Sequence, residues 1–328
     1  MAAANVISPL VLSVNQTLTP GQNLIPTDQL GATGNSKSAM LIDGIRIRVD
    51  ELAAFVARVG SAIDLRAAFS VGISVGRIDV TRGLIPMPLY GSLKDSATDF
   101  GSIINASGPF YPVGFVGQDL HAVWRFKKPF YIAPQKHIAI KLYWNAGLTP
   151  NPGGVSPNTV NVTVSLFGRA LPENYPVPAT VYVPYMTSFV PPPTLNTATP
   201  ALLKSVPNDL GNPYREELRV TRLTGFCNSF TAAAAGEDVG VGISLVTVRM
   251  AEYRGSIVIR DPTPFYGAFN LTTRAWDIDC VLPAGGYYST LINLASLAAT
   301  AGGYNSQPMI GLQGYRALTG QAYMGEVG

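Results

Sequence analysis

The feature of this sequence that most restricts its fold is a short pattern that occurs twice, once in each half of the chain. Residues 71–75 read VGISV and residues 86–91 read PMPLYG, while residues 241–245 read VGISL and residues 262–267 read PTPFYG. The second copy has a longer spacer, as expected where a surface loop has gained residues, because loops tolerate insertions better than strands do. The pattern predicts two β units, each with a strand that leads into a P-x-P-aromatic turn.

Two weaker repeats follow in the same order in both halves. Residues 131–134 (YIAP) correspond to residues 280–283 (CVLP), and residues 166–171 (LFGRAL) correspond to residues 312–318 (LQGYRAL). A shared order is harder to obtain by chance than any single match. We therefore predict that the chain contains two copies of one β domain, with the two VGIS segments on equivalent strands.

Length and composition agree with two turn-rich β domains. The chain has 328 residues, more than one hydrophobic core usually serves, since domains average about 150 residues. Only 13% of the residues are charged, and 33 glycines and 26 prolines favour turns over long helices. So little charge predicts that much of the surface is covered by neighbouring molecules.

The charge distribution argues against nucleic-acid binding. The net charge is only +3, and residues 1–36 contain neither Lys nor Arg. Such an N-terminal segment cannot bind phosphates by releasing counterions. No window approaches about 18 consecutive apolar residues, so the sequence also predicts no transmembrane helix.

Prolines and apolar patches divide the chain into five predicted segments. The first segment has three prolines, which prevent a long helix, and it is either a disordered terminus or an arm ordered against a neighbouring subunit. A stiff joint with ten prolines lies between the β domains and has exposed-looking side chains suited to contacts between subunits: Tyr182, Tyr185, Phe189 and Val190. The segments are an arm (1–37), a first domain (38–171), a linker (172–213), a second domain (214–320) and a tail (321–328).

Periodicity predicts several individual elements. Apolar residues at positions 45, 47 and 49 alternate with Arg46 and Arg48, as in a half-buried strand. Asp50 is a candidate N-cap of a short helix that ends at Gly60. For residues 291–299 a helical pattern competes with the strand that the repeat predicts, and the repeat favours a strand up to Leu294.

The sequence offers little for catalysis or metal binding. Its two histidines, His121 and His137, have no close histidine or carboxylate partners of the kind that cupin-type metal sites need. Asp277 and Asp279 share one face of a predicted strand and could do acid–base or calcium chemistry, but acids on such a face are usually just exposed. No nucleophile, phosphate-binding or C-x-x-C motif is present. We predict no enzymatic activity, no cofactor and no catalytic, cofactor-binding or metal site.

Both cysteines, Cys227 and Cys280, lie in the second half of the chain. They are either two buried thiols or one disulfide. Buried thiols are the favoured interpretation, because a free cysteine behaves as a small apolar residue.

Two consecutive antiparallel β units with Gly/Pro turns fit two eight-stranded jelly rolls with few short helices, and hence an all-β fold class. With this order of elements, the chain resembles the double jelly-roll major capsid proteins of tailless icosahedral viruses, the lineage that includes tectiviruses, corticoviruses and the small lipid-containing phages. The features that carry the resemblance are the closing strands with Gly168 and Gly314, and the paired segments 86–91 and 262–267. In size the chain most resembles the major capsid proteins of the lipid-containing phages of aquatic bacteria.

The resemblance implies a structural role in the virion capsid, with assembly in the host cytoplasm. Three chains would form a capsomer of near-hexagonal outline that contacts neighbouring capsomers and other capsid proteins, such as penton or minor proteins. An internal viral membrane can lie beneath the shell in that family, and direct contact with nucleic acid is not expected.

The main alternative is a tandem β-sandwich that binds carbohydrate, such as a lectin or adhesin. Residues 92–118 form a long glycine-rich excursion that would then be the ligand loop. This alternative predicts a monomer or small oligomer that binds glycans, whereas the capsid interpretation predicts a stable homotrimer.

Overall fold

The computed structural model of the protein describes the β elements of both halves and their close surroundings. The described residues are 8–18, 23–24, 38–49, 69–91, 120–144, 160–189, 194–196, 201–204, 212–231, 245–251, 258–266, 274–284, 287–294 and 304–328. All pairings between the named strands are antiparallel. The predicted all-β fold class is therefore confirmed.

The first half of the chain forms two sheets, which together we call the first unit. Its strands are β1 (Ser8–Leu18), β2 (Asn23–Leu24), β3 (Ser38–Val49), β4 (Phe69–Val75), β5 (Ile78–Asp79), β6 (Ile85–Pro86), β7 (Leu120–Ile132), β8 (Ile138–Trp144) and β9 (Val160–Glu173). One sheet has the order β1-β9-β3-β7. The other has the order β2-β8-β4-β5, with β6 also paired to β4. A 3-10 helix, Met87–Tyr90, follows β6.

The second half also forms two sheets, which we call the second unit. Its strands are β10 (Thr180–Phe189), β11 (Thr194–Asn196), β12 (Ala201–Lys204), β13 (Leu218–Thr231), β14 (Leu245–Ala251), β15 (Val258–Tyr266), β16 (Arg274–Leu282), β17 (Tyr287–Leu294) and β18 (Tyr304–Thr319). One sheet has the order β10-β18-β13-β16, with β11 also paired to β18, and the other has the order β12-β17-β14-β15. Helix α1 (Gly320–Val327) follows β18.

The two units have the same strand order. In one sheet of each unit, the unit's first strand lies beside its last strand, the third strand in the sheet order is β3 or β13, and the fourth is β7 or β16: β1-β9-β3-β7 in one and β10-β18-β13-β16 in the other. The second sheets match in the same way. This interleaving of early and late strands across two facing sheets is the Greek-key order of a jelly roll. In the described part of the chain, a short additional strand, β6 or β11, joins one sheet of each unit.

A glycine in the last strand of each unit lies opposite an irregular point in the third strand. Gly168 in β9 pairs with Ile42 in β3, and Gly314 in β18 pairs with Val220 in β13. In both third strands the register shifts directly after that residue, as at a β-bulge. The duplication therefore extends to the register of individual residues.

Close backbone contact explains why both positions are glycine. A Cβ atom at Gly314 would lie 2.5 Å from the Arg219 carbonyl oxygen, and one at Gly168 would lie still closer to the Leu41 carbonyl oxygen. Arg219 and Leu41 hold the same position in their units, one residue before the glycine's partner. A backbone atom cannot move aside as a side-chain end can, so only glycine fits at either place.

Two described parts of the predicted arm (1–37), residues 8–18 and 23–24, are strands of the first unit, so the sheets extend beyond the boundary predicted at residue 38. β1 pairs with β9 along its whole length, and β2 pairs with β8. Leu12, Val14 and Leu18 are buried, so the apolar patch is the inward face of a strand. Pro9 is accommodated because β1 is at the edge of its sheet, where one side of the backbone needs no ladder hydrogen bond.

The described parts of the predicted linker (172–213) include three strands. These are β10 and β12, the counterparts of β1 and β2, and the additional strand β11; only residues 174–179 connect β9 to β10. Tyr185 is buried rather than exposed, and Tyr182 is half-buried. The side chain of Phe189 and the whole of Val190 lie outside what the structure describes. Between residues 181 and 186, the apolar side chains are thus mostly buried within the chain itself.

Three smaller predictions have mixed outcomes. The strand predicted up to Leu294 is confirmed, because β17 covers residues 287–294. The two P-x-P-aromatic segments are not turns: the first is β6 with the 3-10 helix, and the second lies within β15. The predicted tail forms α1, whose first turn is capped by the Thr319 hydroxyl accepting from the Ala322 N–H at 3.2 Å.

Other predictions fall partly or wholly outside the described residues. The helix after Asp50 and the excursion at residues 92–118 lie there. The first VGIS segment is inside β4, whereas residues 241–244 precede β14, which begins at Leu245. β4 and β14 occupy equivalent places in their sheets, and the equivalence of Gly72 and Gly242 stays a prediction.

Candidate assembly interface

The two units are joined along the outer edge of β10. The Met186 N–H donates to the Val80 carbonyl oxygen at 2.9 Å, and the Arg82 N–H donates to the Met186 carbonyl oxygen at 2.8 Å. Met186 also forms a parallel bridge with Thr81. The segment between β5 and β6 therefore pairs with the edge of the second unit's sheet and satisfies backbone groups that an open edge would leave unpaired.

The 3-10 helix Met87–Tyr90 directs its carbonyl end into the second unit. The Thr224 hydroxyl donates to the Leu89 carbonyl oxygen at 2.9 Å. The Gln313 amide Nε2 donates to the carbonyl oxygens of Leu89 and Tyr90 at 3.0 and 3.2 Å. Thr224 and Gln313 are both buried, so their bonds satisfy carbonyls that a helix end leaves without intrahelical partners.

Helix α1 packs an aromatic side chain of the second unit onto the first. The Tyr323 ring lies edge-on to Tyr131 and Phe130, with centroid distances of 6.0 and 6.3 Å. The Tyr323 hydroxyl accepts a hydrogen bond from the Ala133 N–H at 3.3 Å. Burial raises the pKa of Tyr323, which keeps the phenol neutral. A single hydrophobic cluster consequently contains buried residues of both units.

A buried cation fixes α1 against β18 and the start of the second unit. Arg316 donates to both carboxylate oxygens of Glu326, with the Nη1 bond at 3.0 Å, and its Nη1 lies 3.6 Å from a Glu216 oxygen. Its guanidinium carbon is 4.0 Å from the Tyr214 ring centroid. The Tyr214 hydroxyl in turn donates to the Asp79 carbonyl oxygen of the first unit at 3.4 Å. Because a buried charge needs partners, Arg316 favours this one arrangement of α1.

Tyr185 of β10 lies at the same junction. Its ring centroid is 5.4 Å from that of Tyr214, at nearly a right angle. Burial raises the pKa of Tyr185 to about 12, nearby Tyr214 adds to the rise, and Arg82 opposes it. Arg82 belongs to the first unit, so this phenol is placed between the two units in a site that disfavours its ionised form.

A charged cleft of about 580 Å³ opens beside the junction. Its first-unit side is basic and is formed by β7, with Arg125, Lys127 and Lys128. Arg125 lies over the ring of Phe167, and Lys128 lies over the ring of Tyr182, at 5.8 and 5.6 Å from the centroids. The second-unit side consists of ion pairs between β13 and β16.

The two carboxylates singled out in the sequence are members of these ion pairs. Arg219 donates to both oxygens of Asp279 at 2.7 and 2.8 Å, and Arg222 donates to Asp277 at 2.8 Å. The Arg219 guanidinium holds the pKa of Asp279 below its usual value, so this acid is ionised and poorly suited to donate a proton. Both carboxylates thus form ion pairs between two strands, and such exposed pairs add little stability.

The histidines are not brought into a metal-binding group. His137 is exposed immediately before β8, and its carbonyl oxygen accepts from the Gly76 N–H at 2.9 Å. His121 lies near the start of β7, opposite Arg48. Within the described residues, no three His, Cys, Asp or Glu side chains are grouped as metal ligands. No helix in the same part of the chain has the length and apolar character to cross a bilayer.

The register of the second unit separates the two cysteines. Cys280 in β16 lies opposite Val220 in β13, and Cys227 is further along β13. At about 3.3 Å per residue, the seven residues from Val220 to Cys227 span about 23 Å, whereas a disulfide needs Cα atoms within about 7 Å. The two cysteines are therefore not joined to each other, which removes the disulfide interpretation; the burial of the two thiols stays a prediction.

Sequence reasoning missed the residues that join the units. Gln313 and Thr224 are buried polar residues in strands that carry many other polar residues, and nothing in their spacing identifies them or their partners. The counterpart of β10 was visible in the sequence, because Pro184 and Pro9 occupy equivalent positions, each opposite the residue after the glycine of the last strand. A search for a Pro-containing strand before each closing strand would have found this signal.

No protein-family profile matches the chain, and no curated protein matches it in sequence. Solved structures do resemble it over nearly the full length of both chains. The crystal structure of the STIV MCP is 10% identical, with 98% of each chain covered and a TM-score of 0.43. The PBCV-1 virus capsid is 8% identical, with 97% of this chain and 95% of that chain covered and a TM-score of 0.49.

The major capsid protein P2 from bacteriophage PM2 is 9% identical, with 96% of this chain and 98% of that chain covered and a TM-score of 0.41. By their descriptions, the PBCV-1 and PM2 structures are virus capsid proteins. At these identities and scores, the fold of the present chain is established by its own strand order and register.

Proposed function

We propose that this protein is a structural major capsid protein that forms pseudo-hexameric homotrimers in the shell of an icosahedral virus. The observation that carries the proposal is the duplication of one jelly-roll unit within a single chain, with both units joined in one hydrophobic cluster. Jelly rolls are common in viral capsids and in lectins. A pair of units fixed edge to face is suited to tiling a surface, and the similar solved structures include virus capsid proteins.

Symmetry explains why such a chain would act as a trimer. Three chains contribute six similar units, so a three-fold object acquires a nearly six-fold outline and can fill hexagonal positions in a closed shell. Stable interfaces of this kind bury roughly 2,000 Å² or more. We propose that the two units span residues 8–173 and 180–319, with residues 174–179 between them.

The proposal includes a location and partners. The protein would reside in the virion capsid after assembly in the host cytoplasm, next to other copies of itself and to penton or minor capsid proteins, and in some virions above an internal membrane. It would have no enzymatic activity or cofactor, and it would not bind nucleic acid directly. The low net charge of +3 and the absence of Lys and Arg from residues 1–36 support this last point.

The decisive experiment is to determine the mass and outline of the purified full chain. We expect sedimentation analysis at low micromolar concentration to give a trimer that persists on dilution, and negative-stain images to show a near-hexagonal outline. A well-folded monomer that binds glycans would instead support the carbohydrate-binding alternative and contradict the capsid proposal.

A further inference from the structure

Two exposed apolar side chains have buried counterparts in the other unit. Val11 in β1 is 66% exposed and Val281 in β16 is 42% exposed, and they are two of the five large hydrophobic side chains classed as exposed in the described part of the chain. Single exposed apolar residues are common on protein surfaces. These two differ from ordinary ones because the internal duplication shows what happens at the same positions when a neighbouring unit is present.

The counterpart of Val11 is Met186. Val11 lies opposite Phe167, the residue before Gly168, and Met186 lies opposite Gln313, the residue before Gly314. Met186 is completely buried, because the first unit covers it and pairs with its backbone on the outer edge of β10. β1 is likewise the outermost strand in its sheet order, and among the described strands it pairs with β9 only.

The counterpart of Val281 is Tyr131. Val281 lies opposite Arg219, and Tyr131 lies opposite Leu41, which are equivalent residues of β13 and β3. Tyr131 is only 2% exposed, because Tyr323 of α1 packs against it across the junction. Thus Met186 marks the second unit's side of the junction and Tyr131 marks the first unit's side.

Each unit therefore also carries an exposed copy of the surface that the other unit uses in the junction. The surface of β10 around Met186 is repeated on β1 around Val11, and the surface of β7 around Tyr131 is repeated on β16 around Val281. We propose that the β1 face around Val11 of one chain docks on the β16 face around Val281 of a second copy, in a contact that repeats the junction between the two units. The proposal rests on the proposed capsid role only in requiring self-assembly, and it adds which surfaces meet and in which orientation.

The open edge of β1 gives this docking a backbone component. In the junction, the N–H and the carbonyl oxygen of Met186 are both bonded to the segment at residues 80–82. By the matching register, the same two groups of Val11 lie on the outer side of β1, where they are placed to pair with the backbone of a second copy. Exposed edge strands are templates for such pairing, and natural proteins usually block or cover them.

The contact is heterologous, because the two surfaces that meet are different. A heterologous contact leaves one free face of each kind at the ends of any open chain of subunits, so it closes only as a ring or continues as a filament. If every junction is alike and turns the units by one sixth of a full turn, three copies complete a closed ring of six units. The experiment uses the difference between the two surfaces, because each surface can be damaged separately.

The test compares variants that damage one face each. Val11→Asp and Val281→Asp place a charge in a contact that should be dry, and both positions are exposed in the single chain, so folding should be preserved. Thermal unfolding of the separate variants checks the fold. Val11→Lys and Val281→Lys, with longer side chains, form a second pair should either aspartate variant unfold.

We expect each aspartate variant alone to lose the trimer, with the concentration for half-assembly raised by about tenfold or more. Mixing the two variants should give a one-to-one pair and no trimer, because each mixed pair contains one undamaged contact. Val11→Met and Val281→Tyr are the matched controls. They carry the residue found at the equivalent buried position and should assemble like the unmodified chain.

The outcomes separate this proposal from the capsid proposal. If the unmodified chain forms trimers but the aspartate variants also do, the docking faces are wrong and the capsid role stands. A mixture that regains full trimers, or that forms no pair, overturns the heterologous arrangement, and loss of assembly in the Met and Tyr controls overturns the equivalence. An unmodified chain that stays monomeric contradicts both proposals.

Discussion

β1 and β10 occupy the same place in their units but face different surroundings. In β1, buried Leu12, Val14 and Leu18 alternate with exposed neighbours, so only one face of the strand is covered. In β10, every residue from 183 to 187 is buried, because the first unit lies against the face and edge that β1 leaves open. One fold thus has two versions of the same strand, one exposed to solvent and one covered.

The difference shows how sequence adapts a duplicated fold to its neighbours. The exposed positions of β1 are mostly polar, namely Ser13, Asn15 and Thr17, whereas β10 carries apolar or aromatic residues on both faces. A strand covered on both faces loses the period-two pattern, as buried strands generally do. The exception in β1 is Val11, which is apolar and exposed where the pattern calls for a polar residue.

Removal of β1 is the largest perturbation that tests this comparison. Deletion of residues 1–18 should destabilise the chain by more than about 5 kcal/mol, because it exposes β9 and removes three buried apolar side chains, each contributing about 1.5–3 kcal/mol. Chemical denaturation followed by circular dichroism measures the loss. A truncated chain of unchanged stability would mean that residues 8–18 are an arm, as the sequence predicted, and that β1 is not required by the first unit.

The glycine positions test whether the two units are equivalent in detail. Gly168→Val and Gly314→Val should each cost about 3 kcal/mol or more, since each new Cβ meets a carbonyl oxygen that cannot move without breaking the bulge. Gly83→Ala is a useful control, because no atom lies within 4 Å of a Cβ built there, although its positive φ of 77° carries a smaller strain of about 1 kcal/mol. Clearly unequal effects at Gly168 and Gly314 would argue against a shared architecture at this point.

The sequence predicted the kind of fold better than its boundaries. Repeats at the closing strands were strong because Gly168 and Gly314 are fixed by backbone contact, and such constraints survive divergence. The sequence comparison aligned YIAP with CVLP one residue out of register. It matched Ala133 with Leu282, whereas the strand pairings show that Ile132 occupies the position of Leu282. Short apolar strings align easily in the wrong register, whereas a glycine that cannot be replaced does not.

The boundaries and the junction could not be predicted for physical reasons. Prolines suggested an arm and a linker, yet Pro9 and Pro184 lie in edge strands, where proline costs no ladder bond on the outer side. The junction depends on long-range partners such as Gln313 and Leu89, which are more than 200 residues apart in the chain. No local pattern encodes such a pair, because each member looks like an ordinary strand or turn residue.

Gln313 at the junction and Phe167 on the open face occupy equivalent positions in the two units, so substitutions at these residues compare the two surfaces. Gln313→Leu should cost about 2 kcal/mol, because it removes the amide donor from the carbonyl oxygens of Leu89 and Tyr90 in a buried place. Phe167→Leu, measured in the Val11→Asp variant that should not form trimers, should change the free energy of unfolding by less than about 1 kcal/mol, since Phe167 is only half-buried. Urea unfolding of both variants gives the difference, and similar losses at the two positions would show that the junction adds nothing at this point.

The smallest expected effect is the pH dependence that Tyr185 gives to β10, at a position where β1 carries Leu10 and has no such group. Burial raises the pKa of Tyr185 from 10.0 to about 12, so the folded chain keeps this proton in a range where the unfolded chain loses it. The stability from this group is therefore full below pH 10 and is lost as the pH rises towards 12, and the loss is about 1 kcal/mol at pH 11.

Tyr185→Phe lowers stability by a constant amount through its lost hydroxyl contacts, but it removes this dependence of stability on pH. The measurement is the difference in unfolding free energy between the original chain and the variant at pH 8 and pH 11, which cancels the contributions of the other tyrosines. A difference that does not change with pH would place Tyr185 in a solvated site and contradict the covered character of β10.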